Sequence, residues 1–142
     1  MIISLIGAFL TSVSFGYLFN VQRKELLYCG ITGLIGFFIL LILSRYFDIA
    51  SIFIATTVVT ITSIALSKIR KTISTNYLTT GIIPFVPGGL LYRTMYYTVY
   101  NEWENALYSG FRAFMTAGAI AFGVIFVVSI YNVLYLYNSK RA

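Results

Sequence analysis

The sequence predicts an all-α membrane protein: one transmembrane domain over residues 1–142, with five transmembrane segments and a fourth helix broken near the midplane of the bilayer. Hydrophobic residues make up 59% of the 142 positions. Charged residues make up only 10%, against about 25% in a typical soluble domain. The mean hydropathy is +0.88. Because this composition cannot supply the polar surface that a soluble chain needs, most of the surface is expected to face lipid.

Five apolar segments follow one another along the chain. They cover about residues 2–19, 26–43, 49–66, 77–100 and 106–137. A helix needs about 20 apolar residues to cross the hydrocarbon core, and each segment approaches or exceeds that length. The first has no basic residue before it, which favours a membrane helix over a signal peptide. The fifth is longer than one crossing requires, so we expect it to tilt or to extend past the bilayer surface.

The charged residues predict how the segments are oriented. If all five cross, one side of the membrane receives most of the ten basic residues and one of the four acidic ones. That side carries Arg23, Lys24, Glu25, Lys68, Arg70, Lys71, Lys140 and Arg141, and the other carries Arg45, Asp48, Arg93, Glu102, Glu104 and Arg112. We expect a protein of the cell membrane, and the positive-inside rule then predicts that its N-terminus lies outside and its C-terminus in the cytoplasm. A fourth segment that entered and returned would weaken this charge bias.

Small residues recur at helical spacing in two segments. They are Gly30, Gly33 and Gly36 in the second segment and Ala113, Ala117 and Ala121 in the fifth. Such spacing lets helices approach closely in lipid, so both sets are predicted to lie in helix contacts.

A polar stripe runs along the third segment. Its members are Ser51, Thr56, Thr57, Thr60, Ser63 and Ser67, mostly three or four positions apart. They are expected either to bond to a neighbouring helix or to line a pathway, and the first interpretation is favoured because serine and threonine commonly make interhelical contacts.

The fourth segment contains both prolines of the chain, Pro84 and Pro87, followed directly by Gly88 and Gly89. Each proline removes a helix hydrogen bond and clashes with the preceding turn. Unpaired backbone groups cannot face lipid, so a break at this depth must be covered by protein or water. Transporters place substrate sites at such breaks, where half-helix amide groups hold anions.

The candidate substrate site therefore comprises Pro84, Pro87, Gly88 and Gly89 together with nearby hydrogen-bonding and charged groups. These additional residues are Thr80, Tyr92 and Arg93. Arg93 follows the break by about one helical turn, and an alternative role for it is to extend toward the outer interface.

Other function classes are not expected. The chain has no histidine and one cysteine, Cys29, so neither a metal site nor a disulfide is predicted. No cofactor or nucleic-acid partner is predicted, because the net charge of +6 lies in short loops and is explained by topology and anionic lipid headgroups. The chain is not expected to be an enzyme, since no catalytic pair or carboxylate cluster lies within the segments.

Four stretches of the sequence resemble the small subunit of the threonine/serine exporter family, the YjjB-like proteins. They are Gly16-Tyr-Leu-Phe-Asn-Val-Gln-Arg-Lys, Gly81-Ile-Ile-Pro-Phe-Val-Pro-Gly-Gly-Leu-Leu-Tyr-Arg-Thr-Met, Asn105-Ala-Leu-Tyr-Ser-Gly and Ala117-Gly-Ala-Ile-Ala-Phe-Gly. The resemblance implies a two-component exporter in which a large subunit of the same family is the partner. It implies a small carboxylate-bearing substrate, either threonine and serine or a dicarboxylate such as succinate. Two alternatives are a structural or regulatory membrane subunit that transports nothing and a channel formed by several copies of the chain.

Overall fold

The computed structural model describes residues 2–139, which form six α-helices and one 3₁₀ turn. The helices are α1 (Ile2–Leu18), α2 (Leu26–Leu43), α3 (Ile49–Arg70), α4 (Ser74–Ile82), α5 (Gly88–Val99) and α6 (Trp103–Ser139), and the 3₁₀ turn covers Ile83–Phe85. No strand occurs among these residues, so the predicted all-α class is confirmed. Helices α2, α3 and α6 are long and apolar enough to cross a membrane, and α1 is a shorter apolar helix. Lys140 and Arg141, assigned above to the basic side, lie outside the described residues.

Two helices extend beyond the apolar segments that predicted them. Helix α3 continues past residue 66 to Arg70 and ends where Lys71 takes a left-handed conformation with φ of 52°. Helix α6 has 37 residues, about 55 Å at 1.5 Å per residue, against a hydrocarbon core of about 30 Å. The residues at these helix ends are charged or polar, so the apolar segments predict helices that are too short.

Glycines of α2 allow α1 to pack closely against it. A Cβ atom at Gly30 would lie 2.7 Å from Val13 Cγ2, and one at Gly33 would lie 2.8 Å from Ser12 Cβ. Real Cβ atoms do not approach so closely, so each position excludes a side chain. The predicted contact role of the α2 glycines is therefore confirmed at the α1–α2 interface.

The third α2 glycine receives the 3₁₀ turn instead. A Cβ atom at Gly36 would lie 2.6 Å from Phe85 Cζ. Phe85 forms a buried cluster with Ala55 and Val59 of α3. Since Gly36 and Val59 lie near the middle of their helices, the 3₁₀ turn is held at mid-depth of the bundle.

Most of the polar stripe of α3 is buried, and its hydroxyl groups bond within their own helix or to the residue before it. Thr56, Thr60 and Ser63 donate to the carbonyl oxygens of Ile52, Thr56 and Val59 at 2.7–2.8 Å. These bonds replace the interhelical hydrogen bonds that the sequence favoured, because the carbonyl four residues earlier is the nearest acceptor. Among residues 2–139, the buried members of the stripe therefore contribute small side chains to packing.

Only one of the three spaced alanines of α6 lies in a helix contact within the described chain. Ala113 is buried, but Ala117 and Ala121 are exposed. The buried positions, which follow one another in steps of three or four residues, are Ala106, Ser109, Ala113, Thr116, Ala119, Gly123 and Val127. Residues that are strictly four positions apart rotate away from a single contact line by about 40° at each step, because the helix has 3.6 residues per turn.

Loops predicted to share one side of the membrane lie at the same end of the helices. Arg70, the last residue of α3, forms an ion pair with Glu25 in the loop before α2. We call this the basic end. At the opposite end, Asp48 before α3 forms an ion pair with Arg112 of α6. The structure therefore groups these loops as the charge distribution predicts.

The separation of the two ends matches a bilayer. Asp48 and Lys68 are 20 residues apart along α3, which corresponds to about 30 Å. Lys68 Nζ lies 4.7 Å from the ring centre of Tyr131 in α6, and Arg112 to Tyr131 spans about 28 Å of that helix. Both lengths equal the thickness of a hydrocarbon core, about 30 Å.

Candidate functional site

The helix interruption predicted in the fourth segment lies between α4 and α5. Val86 is extended, with φ of −55° and ψ of 128°, and Pro87 has ψ of 44°. The Leu90 and Leu91 N–H groups donate to the Pro87 carbonyl oxygen at 3.1 and 3.0 Å, which begins α5. The sequence dictates this geometry, because Pro84 and Pro87 have no N–H and cannot continue the hydrogen-bond ladder of α4.

The two sides of the interruption pack against different helices. Helix α4 packs against α1, α2 and α3, whereas α5 packs against α6. Gly81 of α4 illustrates the first contact, since a Cβ atom there would lie 2.9 Å from Val59 Cγ1. Gly110 of α6 illustrates the second, with Thr94 Cγ2 at 3.3 Å from a Cβ atom built there.

Four of the predicted site residues are open to the outside of the chain. Gly88, Gly89, Tyr92 and Arg93 are exposed. A Cβ atom at Gly88 or Gly89 would have no atom of the described chain within 4 Å. Pro84 and Pro87 are half-buried. Consecutive chain positions bring these residues together, and no other described segment closes over them.

Thr80 is separated from the rest of the predicted site. It is fully buried in α4, and its hydroxyl donates to the Asn76 carbonyl oxygen at 2.8 Å. The hydroxyl is thus used inside the bundle, on the side of α4 that faces α2 and α3.

Helix contacts indicate the depth of Arg93. Thr94 lies beside Gly110, so Arg93 is level with residues near Arg112. Arg112 pairs with Asp48 at the end of the bundle opposite the basic end. Of the two roles considered for Arg93, this level favours a position at the interface. Gly88, five residues earlier, lies about 7 Å deeper.

A buried polar cluster at the basic end is absent from the sequence prediction. The Tyr77 hydroxyl donates to Glu25 Oε2 at 2.6 Å, and Arg70 Nη2 donates to Glu25 Oε1 at 2.9 Å. The Tyr77 and Thr72 hydroxyls are 2.8 Å apart, and the Arg70 guanidinium lies 4.7 Å from the ring centre of Tyr28. Glu25 is only 5% exposed and Tyr77 is fully buried.

The cluster fixes the charge of Glu25 and joins three helices. The hydrogen bonds from Arg70 and Tyr77 hold the pKa of the Glu25 carboxyl below its usual value of 4.5. The carboxylate at the start of α2 thereby bonds to the end of α3 and to α4. One feature of the sequence could have indicated this cluster: Glu25 is the only acidic residue among the basic residues predicted to lie on its side of the membrane.

The described residues form no metal-binding group. No set of three or more Cys, Asp or Glu side chains comes together among residues 2–139. The hydrogen-bond donors at the helix interruption are the Gly89 N–H, the Tyr92 hydroxyl and the Arg93 guanidinium.

Comparison with known families gives one match. A family model described as the threonine/serine exporter ThrE matches residues 4–130, which include most of α1, all of α2 to α5 and most of α6. No curated protein and no solved structure matches the chain.

Proposed function

Because the chain belongs to the threonine/serine exporter family, we propose that it is the small subunit of a two-component secondary exporter of small carboxylate-bearing metabolites. The observation that carries the proposal is the family match over residues 4–130. The substrates are threonine and serine or a dicarboxylate such as succinate, and a large subunit of the same family is the partner. We propose no catalytic activity, since the proposed task needs binding and movement only.

In this proposal the chain crosses the cell membrane five times, with its N-terminus outside and its C-terminus in the cytoplasm. Helix α4, the 3₁₀ turn and α5 together make the fourth crossing. The separation of about 30 Å between the two charged ends supports it. So does the excess of basic residues at the end that contains Arg23, Lys24, Lys68, Arg70 and Lys71.

The proposed substrate site lies at the interruption of this fourth crossing. The Gly89 N–H at the start of α5, which has no acceptor among residues 2–139, would bind the substrate carboxylate, since a helix N-terminus attracts anions. Arg93 would lie at the outer entrance. Pro84 and Pro87 would keep this amide group out of a continuous helix, Tyr92 would offer a hydroxyl, and Thr80 would support α4 from inside. The openness of Gly88 and Gly89 supports a site completed by another subunit.

The test is efflux of preloaded, labelled threonine, serine and succinate from cells. Three strains are compared, which express this chain, a candidate large subunit, or both. We expect efflux only from the pair. Arg93→Ala and Gly88→Leu should abolish it at equal expression, while Arg45→Ala, a matched exposed arginine at the same end of the bundle, should retain it.

Other outcomes identify the alternative functions. Efflux from this chain alone would indicate a channel of several copies and contradict the two-component proposal. Absence of efflux for all three substrates from the pair would favour a structural or regulatory subunit. Efflux that survives both site substitutions would place the substrate elsewhere in the complex.

A further inference from the structure

The backbone at the interruption needs a cover that this chain does not supply. Val86 is 54% exposed, and Gly88 and Gly89 are exposed as well. The Gly89 N–H has no hydrogen-bond acceptor among residues 2–139. These residues lie between mid-depth, where Phe85 contacts Gly36, and the level of Arg112. Polar backbone at this depth must be covered by protein or line a water-filled space.

A strip of small residues lies beside this backbone. Ala106, Gly110, Ala117 and Ala121 share one face of α6, because steps of four and seven residues return to nearly the same side of a helix. Helix α5 covers the first part of this face, where Thr94 contacts Gly110. Ala117 and Ala121 remain exposed, at about the level where α5 begins. Because these exposed side chains are small, a further helix could approach this part of α6 closely.

The charge of this face favours a partner of different sequence. Arg93 forms no ion pair with any residue of the described range 2–139. A two-fold contact between copies of this chain would use the same patch on both copies, and residues 86–93, Ala117 and Ala121 include no acidic residue. Such a contact would add a second Arg93 charge and no carboxylate, and like charges at an interface are unfavourable. A different chain can supply a carboxylate.

We infer that the open face formed by residues 86–93 and by Ala117 and Ala121 of α6 binds a membrane helix of the partner subunit, which places a carboxylate against Arg93. The inference rests on the two-component exporter proposed above and specifies where the two components meet. A guanidinium has five N–H donors, so Arg93 can bind this carboxylate and still donate to a substrate at the entrance.

Photo-cross-linking tests this contact surface. p-Benzoylphenylalanine is incorporated in place of Ala121 or, as a matched control, of Phe122, the next residue of α6, which is 70% exposed on a different face. The cells also express a tagged large subunit of the exporter family. We expect an adduct with the large subunit from position 121 and none from position 122. An adduct at twice the chain mass of 15.9 kDa, or adducts from position 122 alone, or no adduct, would overturn the inference.

The charge requirement is measured separately, by co-purification of the two chains over a range of concentrations. Arg93→Glu should weaken association by roughly 30-fold or more, the effect of losing an interfacial charge pair, and Arg93→Lys should largely preserve it. Equal association of both variants would contradict the ion pair. Efflux is measured in the same cells. Efflux without an adduct from position 121 would refute only the proposed contact surface. An adduct from position 121 without efflux would refute only the proposed transport.

Discussion

The Tyr77 hydroxyl gives the most direct test of the polar cluster at the basic end. Tyr77→Phe removes the donor that lies 2.6 Å from Glu25 Oε2 and leaves the buried ring in place. A hydrogen bond to a charged group contributes about 1.5–3 kcal/mol. Glu25 keeps its bonds to Arg70, so no charge is left without a partner. We expect the free energy of opening at this end to fall by about 1.5–3 kcal/mol.

The single cysteine provides the assay. Cys29 is fully buried and packs in the same cluster as Tyr77, so a maleimide reaches it only when this end opens. The expected fall in the free energy of opening corresponds to maleimide modification of Cys29 that is roughly 10- to 150-fold faster than in the wild type, measured in detergent micelles. Tyr17→Phe is the matched control, because Tyr17 lies near the same end and is 67% exposed. A rate for Tyr77→Phe within about threefold of that control would refute the proposed contribution.

Three further predictions concern packing and pH. Ser12→Ala should stabilise the protein by about 1–3 kcal/mol, because the Ser12 hydroxyl is buried without a partner in the described chain; an unchanged thermal midpoint in micelles would contradict this. Gly36→Ala should destabilise by about 1–3 kcal/mol through overpacking at Val59, whereas Gly7→Ala, where the added methyl meets open space, should not destabilise; equal midpoints for the two variants would refute the close approach. The pKa of Glu25 is lowered in the folded state, so its contribution is complete above its usual value of 4.5 and is lost as the pH falls through the lower folded value. Thermal midpoints recorded from about pH 6 to pH 3 should therefore decline more in the wild type than in Glu25→Gln, and parallel curves would remove Glu25 as the cause.

Local pattern was sufficient to predict the helices and one of their interfaces. Helix α2 coincides with the apolar segment 26–43, because membrane-crossing length and apolar character are properties of contiguous sequence. The contact role of Gly30 and Gly33 also follows from local pattern, since a missing side chain permits close approach whatever the neighbour is.

Features that depend on the direction of a side chain were not predictable in the same way. Thr80 was assigned to the site because it is near in sequence, but the face of α4 that carries it points into the bundle. Ala117 and Ala121 are predicted to lie in a helix contact, yet within residues 2–139 α6 buries a different face. The pairing of Glu25 with Arg70 joins residues 45 apart and requires knowledge of which helices are neighbours.

The anchoring of Phe85 has a mechanical consequence. Residues up to 85 are held to α2 and α3 through Gly36 and Val59, whereas α5 is held to α6. A rigid-body displacement of the α5–α6 hairpin relative to the remaining helices must therefore be absorbed at two residues, while α6 slides along α3. The ring of Pro87 fixes its own φ, so the hinge reduces to both torsions of Val86 and the ψ of Pro87.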